Sequence, residues 1–474
     1  MSVAVIGAGI TGLALGHRLK RRSGGAGVAG EVTVLEAAAC PGGHATTIVE
    51  DGFLVEAGPN GFLDRYREPQ TRALVRELGL EPRLREALPE SKRRFVRSRG
   101  KLRLVPAGPP SLISTDLLSP GGKLRLLLEP FIPPARDRRE ETVFDFAARR
   151  VGRETAENLI DAAVSGISAG DSRELMVDAA FPVMTEMERE HGSLVRAMIA
   201  RRSQPVAKIF SFDGGLATLI DALADALGPA LRTRSAVESL AREGGRWRLR
   251  LAGGATLAAD RVMLTIASHQ AARLARGFDP ELAAALEAIP FAGLALVAFG
   301  FREADLPRPL DGYGYLVARH ERLDTLGVVW ESSLFEGRAP RGHALLRCML
   351  GGTRGPGLAD LPEHELVLRA RRELATVMGI GAEPARVWVR RWPRAIAQYT
   401  RGHRARVERI RALAARHPGL DLVGTSYDGI SFTAAIAAAE AWAERVLEPG
   451  PATSANGRAG RPAPAPAVEV HETT

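Results

Sequence analysis

The sequence predicts an α/β fold: a Rossmann-like dinucleotide-binding domain assembled from separated segments, a mixed α/β second domain, and a helical domain whose apolar surface suits a membrane. Three observations predict it. The apolar run Val3–Ile6 leads straight into Gly7, Gly9 and Gly12, strand-like and helix-like periodicities alternate through the second half of the chain, and Pro-Pro and Gly-Gly pairs break an apolar segment between Pro109 and Pro134. At 474 residues the chain is too long for one simple core, so two or three packed domains are expected.

The first unit is βαβ. Val3 to Ile6 reads as a strand, Thr11 to Arg22 has helical periodicity, and Glu31 to Leu35 is a second strand after a Gly-rich turn. Thr71 to Leu78 reads as a helix stopped by Gly79 and Pro82, and Arg94 to Pro106 alternates like a hairpin turning at Arg99 and Gly100. Between Pro109 and Pro134, Leu112, Ile113, Leu117, Leu118, Leu124, Leu126, Leu127, Leu128, Phe131 and Ile132 accompany Lys123 and Arg125. That pattern suits a surface helix on a lipid face and equally a helix packed on its own domain.

Thr142 to Val164 reads as helix, Lys208 to Phe210 as a strand, and Phe212 to Leu227 as a helix entered through Gly214 and Gly215. Strands follow at Val237 to Leu240, Arg246 to Leu251 and Arg261 to Thr265, with a helix from His269. Further strands are expected at Leu294 to Phe301, Gly314 to Val317, Gly327 to Trp330 and Ala344 to Leu350. Thr433 to Arg445 is a helix, and the Pro-, Ala- and Gly-rich residues 449–474 are expected to be a disordered tail.

Composition narrows the function classes. No apolar run reaches the roughly 20 residues that cross a bilayer, so no transmembrane helix is expected. The chain enters a strand at Val3 without a basic and apolar leader, so a cytoplasmic protein is expected, with the inner face of the cell membrane as a candidate surface. Cys40 and Cys348 are too few for a disulfide framework or a cysteine zinc site, and no metal is expected. The net charge of +9 comes from arginines interspersed with acids, which does not point to nucleic acid.

The chemistry-bearing motif is the glycine unit. Gly7 permits the tight turn, Gly9 lets a pyrophosphate approach the backbone, and Gly12 lets helix and strand pack closely, with the helix N-terminus facing the phosphates. Glu36 ends the second strand 36 − 12 = 24 positions after the last glycine, where an acid grips ribose hydroxyls. Strand, triplet, helix, strand and acid together specify a dinucleotide site, as the triplet alone would not.

Pro41, Gly42, Gly43, His44 and Thr46 continue this unit, and with them the chain resembles the protoporphyrinogen oxidase family of the flavin-containing amine oxidase superfamily. His44 stands where that family usually has arginine. Glu56 to Phe62 (EAGPNGF) is similar to its E-x-G-P-N-S-F stretch, with Gly61 for serine. Arg94 and Phe95 match its Asn-Arg-Phe hairpin, with Arg93 for asparagine, and Gly166 to Leu175 matches G-x-x-A-G-x-x-x-x-L. Gln398, Tyr399, Gly402 and His403 match P-Q-Y-x-x-G-H. Gly424 to Gly429 resembles G-x-x-Y-x-G, without the Asp-Cys pair that often follows. The matches span about residues 3 to 445.

The resemblance implies an FAD-dependent oxidase that converts protoporphyrinogen IX to protoporphyrin IX in heme biosynthesis, with dioxygen as acceptor. Coproporphyrinogen III oxidation by the same fold is the alternative, and a flavin amine oxidase, a carotenoid desaturase or a non-catalytic dinucleotide-binding protein rank below it. It implies FAD contacts at Gly7, Gly9, Gly12, Glu36, Gly42, Gly43, Thr46, Gly58, Pro59, Asn60, Gly61, Val237, Gly424, Ser426, Ile430, Ser431 and Phe432. It further implies that Arg94 pairs with a substrate propionate, that Gly166 opens backbone to the reacting ring, and that Gly314, Leu316, Val328 and Met349 wall the pocket. No side-chain acid, base or nucleophile is assigned, because the cofactor carries the chemistry. The implied layout puts FAD-binding parts at 1–80, 204–275 and 406–448, a helical domain at 81–203 and a substrate domain at 276–405, leaving a homodimer open.

Overall fold

Val3–Ile6 is wholly apolar and wholly buried because it is the middle strand of a five-stranded parallel sheet. Across that sheet run Leu231–Arg232, Val32–Leu35, Val3–Ile6, Arg261–Leu264 and Leu420–Leu422, so segments far apart in the chain form one layer. This computed structural model describes residues 1–23, 30–64, 69–135, 140–202, 204 and 207–447. The tail expected at 449–474 lies outside the described residues.

The helix Ile10–Ser23 buries Leu13, Ala14, Leu15 and Leu19 against this sheet and against the alanine-rich helix Phe432–Leu447. Small side chains on the C-terminal helix let the two approach closely; Arg18 ties them by pairing with Glu440 at 2.5 Å, and also reaches Glu77 of the helix Gln70–Glu77 at 3.0 Å. The strands Val237–Glu243, Arg246–Leu251 and Thr256–Ala259 form an antiparallel sheet whose inward Leu240, Trp247 and Leu249 pack on the other face. The helix predicted from Phe212 starts later, at Ala217, because the strand continues through Phe212 and Gly215 turns the chain with φ +74°.

The second body is a seven-stranded sheet in the order Arg386–Ala397, Phe291–Arg302, His343–Gly351, Thr325–Trp330, Gly314–Val317, Arg94–Ser98, Lys101–Leu104. The hairpin turns at Arg99 and Gly100, both at positive φ, as its sequence predicts. Its place corrects the sequence-based layout. Arg94–Ser98 pairs in parallel with Gly314–Val317, so the hairpin belongs to this sheet and not to the helical region 81–203. One face of the sheet packs on the helix Glu363–Met378 through Val297, Phe299, Leu346, Cys348, Leu366 and Leu374.

The remaining helices cluster beyond the hairpin. The helix expected from Thr142 to Val164 is divided at Gly152, whose φ of +89° stops Val143–Val151 before the chain resumes towards Asp161–Ser168. Arg150 is fully buried and pairs with fully buried Glu129, whose carboxylate also receives Ser193 Oγ at 2.5 Å and Leu194 N at 2.9 Å. The stretch from Pro109 to Pro134 divides between both readings: Leu117 and Leu118 are core, whereas Leu124, Leu127, Leu128 and Phe131 are exposed. Among the described residues no helix is long and apolar enough to cross a membrane.

Candidate active site

The glycine unit folds as its spacing demands. Gly7 holds φ +102°, and a Cβ there would lie 2.7 Å from Ile266. A Cβ on Gly12 would overlap the Gly7 carbonyl oxygen, so only hydrogen allows the helix to start so close to the strand. Gly9 differs: nothing lies within 4 Å of its Cβ position. Open space there, beside the N-terminus of a helix with no acid in its first turn, is what a bound anion would need as a cradle. Glu36 follows the second strand and accepts the Ala8 and Ala38 amides, each at 2.8 Å, which fixes its carboxylate next to the cradle. Val237 is close by in the chain path, since Ser235 N donates to Glu36 O at 2.7 Å.

Gly42 pairs with Gly9 in an isolated bridge and, like Gly43, has positive φ, while Thr46 Oγ1 donates to Gly43 O at 2.9 Å. His44 remains solvent-accessible, yet desolvation lowers its pKa, as befits a side chain inside a cleft. Its ring meets Trp392 edge-on at 4.5 Å. Gly58 is required next to it, because a Cβ would overlap the His44 carbonyl oxygen, and at Gly61 a Cβ would lie 2.6 Å from Phe210 O. Pro59 and Asn60 stay partly exposed between them. On the far side Gly424 has φ +126°, Ile430 and Ser431 precede the C-terminal helix, and Phe432 stacks on Phe62 at 6.1 Å.

Ser426 is a correction. It is buried, and its Oγ accepts the Ser268 amide at 3.0 Å, so the side chain fastens two loops instead of facing the cleft. The distant motifs meet here: Tyr399 Oη donates to Thr425 O and accepts from Gly429 N, both at 2.9 Å, and Met176 N donates to Tyr399 O at 2.9 Å.

Beside this cleft lies the second face of the seven-stranded sheet. One cross-strand row reads Arg347, Val329, Gly314, Arg94, and the next reads Met349, Gly327, Leu316, Val96. Gly314 and Gly327 keep both rows low in the middle. Gly166 packs on this face, where a Cβ would overlap Leu316 Cδ2. Gly314, Leu316, Met349, Gly166 and Arg94 are thus gathered on one side. Val328 is not: its side chain alternates to the other face and sits 1% exposed in the core, and Val329 takes the inward position.

Arg94 is exposed, has no carboxylate within ion-pair distance among the described residues, and lies 5.3 Å from the Tyr313 ring centroid. Tyr313 Oη accepts from Asn60 Nδ2 at 3.2 Å, and burial raises its pKa. Among the described residues no cluster of three or more His, Cys, Asp or Glu could hold a metal ion.

Sequence reasoning missed the support behind the cleft. Glu56 is buried with Arg338 at 3.1 Å, the Leu216 amide at 2.9 Å and Thr47 Oγ1 at 2.9 Å, and burial raises its pKa against those partners. Arg347, also buried, donates through Nε to Glu331 at 2.7 Å. A single arginine interrupting the apolar run His343–Gly351 was the available signal.

The residues present fit FAD: open space at Gly9 beside a helix N-terminus suits a pyrophosphate, the Glu36 carboxylate stands next to it where ribose hydroxyls would be gripped, and a glycine-lined cleft ends at the C-terminal helix. The model of the flavin-containing amine oxidoreductases matches residues 10–447. The coproporphyrinogen III oxidase of Bacillus subtilis is 31% identical over 448 residues, covering 90% of this chain and 94% of its own. The chloroplastic protoporphyrinogen oxidase of Oryza sativa is 32% identical over 463 residues, covering 90% and 84%. A crystal structure from Exiguobacterium sp. 255-15, provisionally named a protoporphyrinogen oxidase, superposes with TM-score 0.82 at 26% identity, covering 94% and 98%.

Proposed function

This chain belongs to the family of flavin-containing amine oxidoreductases, and we propose that it is the FAD-dependent oxidase of a porphyrinogen, with protoporphyrinogen IX as substrate and dioxygen as final acceptor. The observation that carries this reading is the pairing of Arg94, which has no carboxylate partner among the described residues, with an apolar face opened by Gly314 and Gly327, next to the flavin cleft. A macrocycle that is apolar across its face and carboxylated at its rim needs both.

Bound FAD would supply the redox chemistry, with dioxygen as the terminal acceptor of the substrate's hydride equivalents. The protein's part is to bind and orient. Arg94 would fork onto a propionate, Leu316 and Met349 would hold the ring system, and Gly166 lets the helix Asp161–Ser168 pack closely on Leu316.

Coproporphyrinogen III is the second reading, favoured by the relatives of that name. Its additional propionates call for additional cations. Turnover of both porphyrinogens by the purified holoprotein decides between them, and higher kcat/KM on the tetracarboxylate overturns the first choice. We also propose a peripheral membrane contact through exposed Leu124, Leu127, Leu128 and Phe131. Liposome co-sedimentation tests it, and no binding removes it.

A further inference from the structure

The loop that follows buried Glu56 is gripped by the sheet in an unusual way. Three consecutive carbonyls are captured by two side chains: Arg347 Nη1 donates to Glu56 O at 3.2 Å and to Gly58 O at 2.5 Å, and Trp392 Nε1 donates to Ala57 O at 2.7 Å. The two residues come from different strands, His343–Gly351 and Arg386–Ala397, which flank Phe291–Arg302. Glu331 fixes Arg347 from behind at 2.7 Å, and the edge contact with His44 fixes the Trp392 ring.

A trans peptide points its N–H opposite to its C=O. With the Ala57 carbonyl drawn onto the sheet, the Gly58 N–H points away from it, and Gly58 itself packs on the His44 carbonyl. Gly58, Asn60 and Gly61 have no backbone acceptor for their amides among the described residues. The same arginine stands in one cross-strand row with Gly314 and Arg94, and Met349 lies two positions beyond it.

We propose that Arg347 and Trp392 are positioning residues, a two-point clasp that turns the Gly58 amide towards the flavin and sets the cofactor at a fixed depth relative to the substrate sheet. The proposal rests on the flavin reading of the cleft. Neither residue need touch the substrate. The clasp makes cofactor affinity depend on side chains of the substrate sheet, remote from the glycine unit that binds the pyrophosphate.

The test uses the full chain, stripped of cofactor and titrated with FAD by flavin fluorescence, for wild type, Trp392→Phe, Arg347→Met and Arg347→Lys. Trp392→Phe can keep an aromatic ring against His44 while removing the donor. Loss of a donor to a carbonyl weakens FAD binding about tenfold, with a changed flavin absorption band shape. Arg347→Met weakens it more and Arg347→Lys restores part of the loss. Wild-type affinity and band shape in Trp392→Phe and Arg347→Lys, with only a lower melting temperature, overturns the clasp. If the wild-type apoprotein itself takes up no FAD, the flavin reading fails instead, and the comparison shows which has failed.

Discussion

The guanidinium of Arg94 lies over the ring of Tyr313, 5.3 Å from its centroid, and Tyr313 in turn accepts a hydrogen bond from Asn60 in the glycine-rich loop of the cofactor cleft. The cation that would hold the substrate and the loop that would hold the flavin are two contacts apart. Binding at one is therefore geometrically referenced to the other.

Arg94→Ala is expected to raise KM for the porphyrinogen about tenfold or more while leaving kcat nearly unchanged, since a charge-assisted hydrogen bond contributes roughly 1.5–3 kcal/mol. Arg94→Lys should recover part of the loss. Steady-state kinetics measures both, and an unaltered KM in the alanine variant removes the anchoring role.

Gly9 and Gly12 are predicted to fail differently. Gly9→Ala adds a methyl to open space, so the chain should fold with an unchanged melting temperature and bind FAD much more weakly. Gly12→Ala drives a methyl into the Gly7 carbonyl, so the melting temperature itself should fall. Thermal denaturation of the two apoproteins beside their flavin content separates them. Equal melting losses would mean that the space at Gly9 is not a ligand site.

His403 is buried, stacks on Tyr399 at 3.8 Å, and has no partner for either ring nitrogen among the described residues. Burial, helped by Arg406 and Arg404, pushes its pKa down to about 4. Unfolded histidine titrates near 6.5, so between these values the unfolded chain binds more protons. The stabilisation is complete above about pH 6.5 and is lost as pH falls towards 4, at up to about 1.4 kcal/mol per pH unit. His403→Phe, which can keep the stack, should flatten stability against pH in that window. A slope identical to wild type contradicts the assignment.

The Arg150–Glu129 pair should be costly to break. Glu129→Gln leaves the buried Arg150 guanidinium with only Glu188, at 3.3 Å and already shared with Arg149, as counter-charge, a loss of up to about 3–5 kcal/mol. Replacing both by apolar residues of similar volume should cost much less. Chemical denaturation of the single and double variants checks this, and equal losses would show that packing, not charge pairing, fixes Glu129.

The dinucleotide unit was legible because it is local: turn, cradle and acid lie within one βαβ segment, where spacing and geometry are almost the same information. The outer motifs were legible as words but not as neighbours. Nothing in the sequence says that Tyr399 will bond Thr425 and Gly429, or that the Arg94 hairpin will join Gly314–Val317. Val328 shows the finer limit, since in a strand one position decides which face a side chain serves, and the strand is apolar at both 328 and 329. The hold of Arg347 and Trp392 on the loop escaped notice because it runs to backbone carbonyls, which carry no side-chain signal, although the lone arginine in an apolar strand was a hint.

Anaerobic addition of a porphyrinogen to the purified yellow holoprotein tests the central claim most directly. The predicted result is bleaching of the flavin's visible absorbance with formation of the matching porphyrin, and return of the flavin colour on admission of dioxygen. A flavin that stays oxidised with both protoporphyrinogen IX and coproporphyrinogen III, in a protein that has retained its FAD, would contradict it.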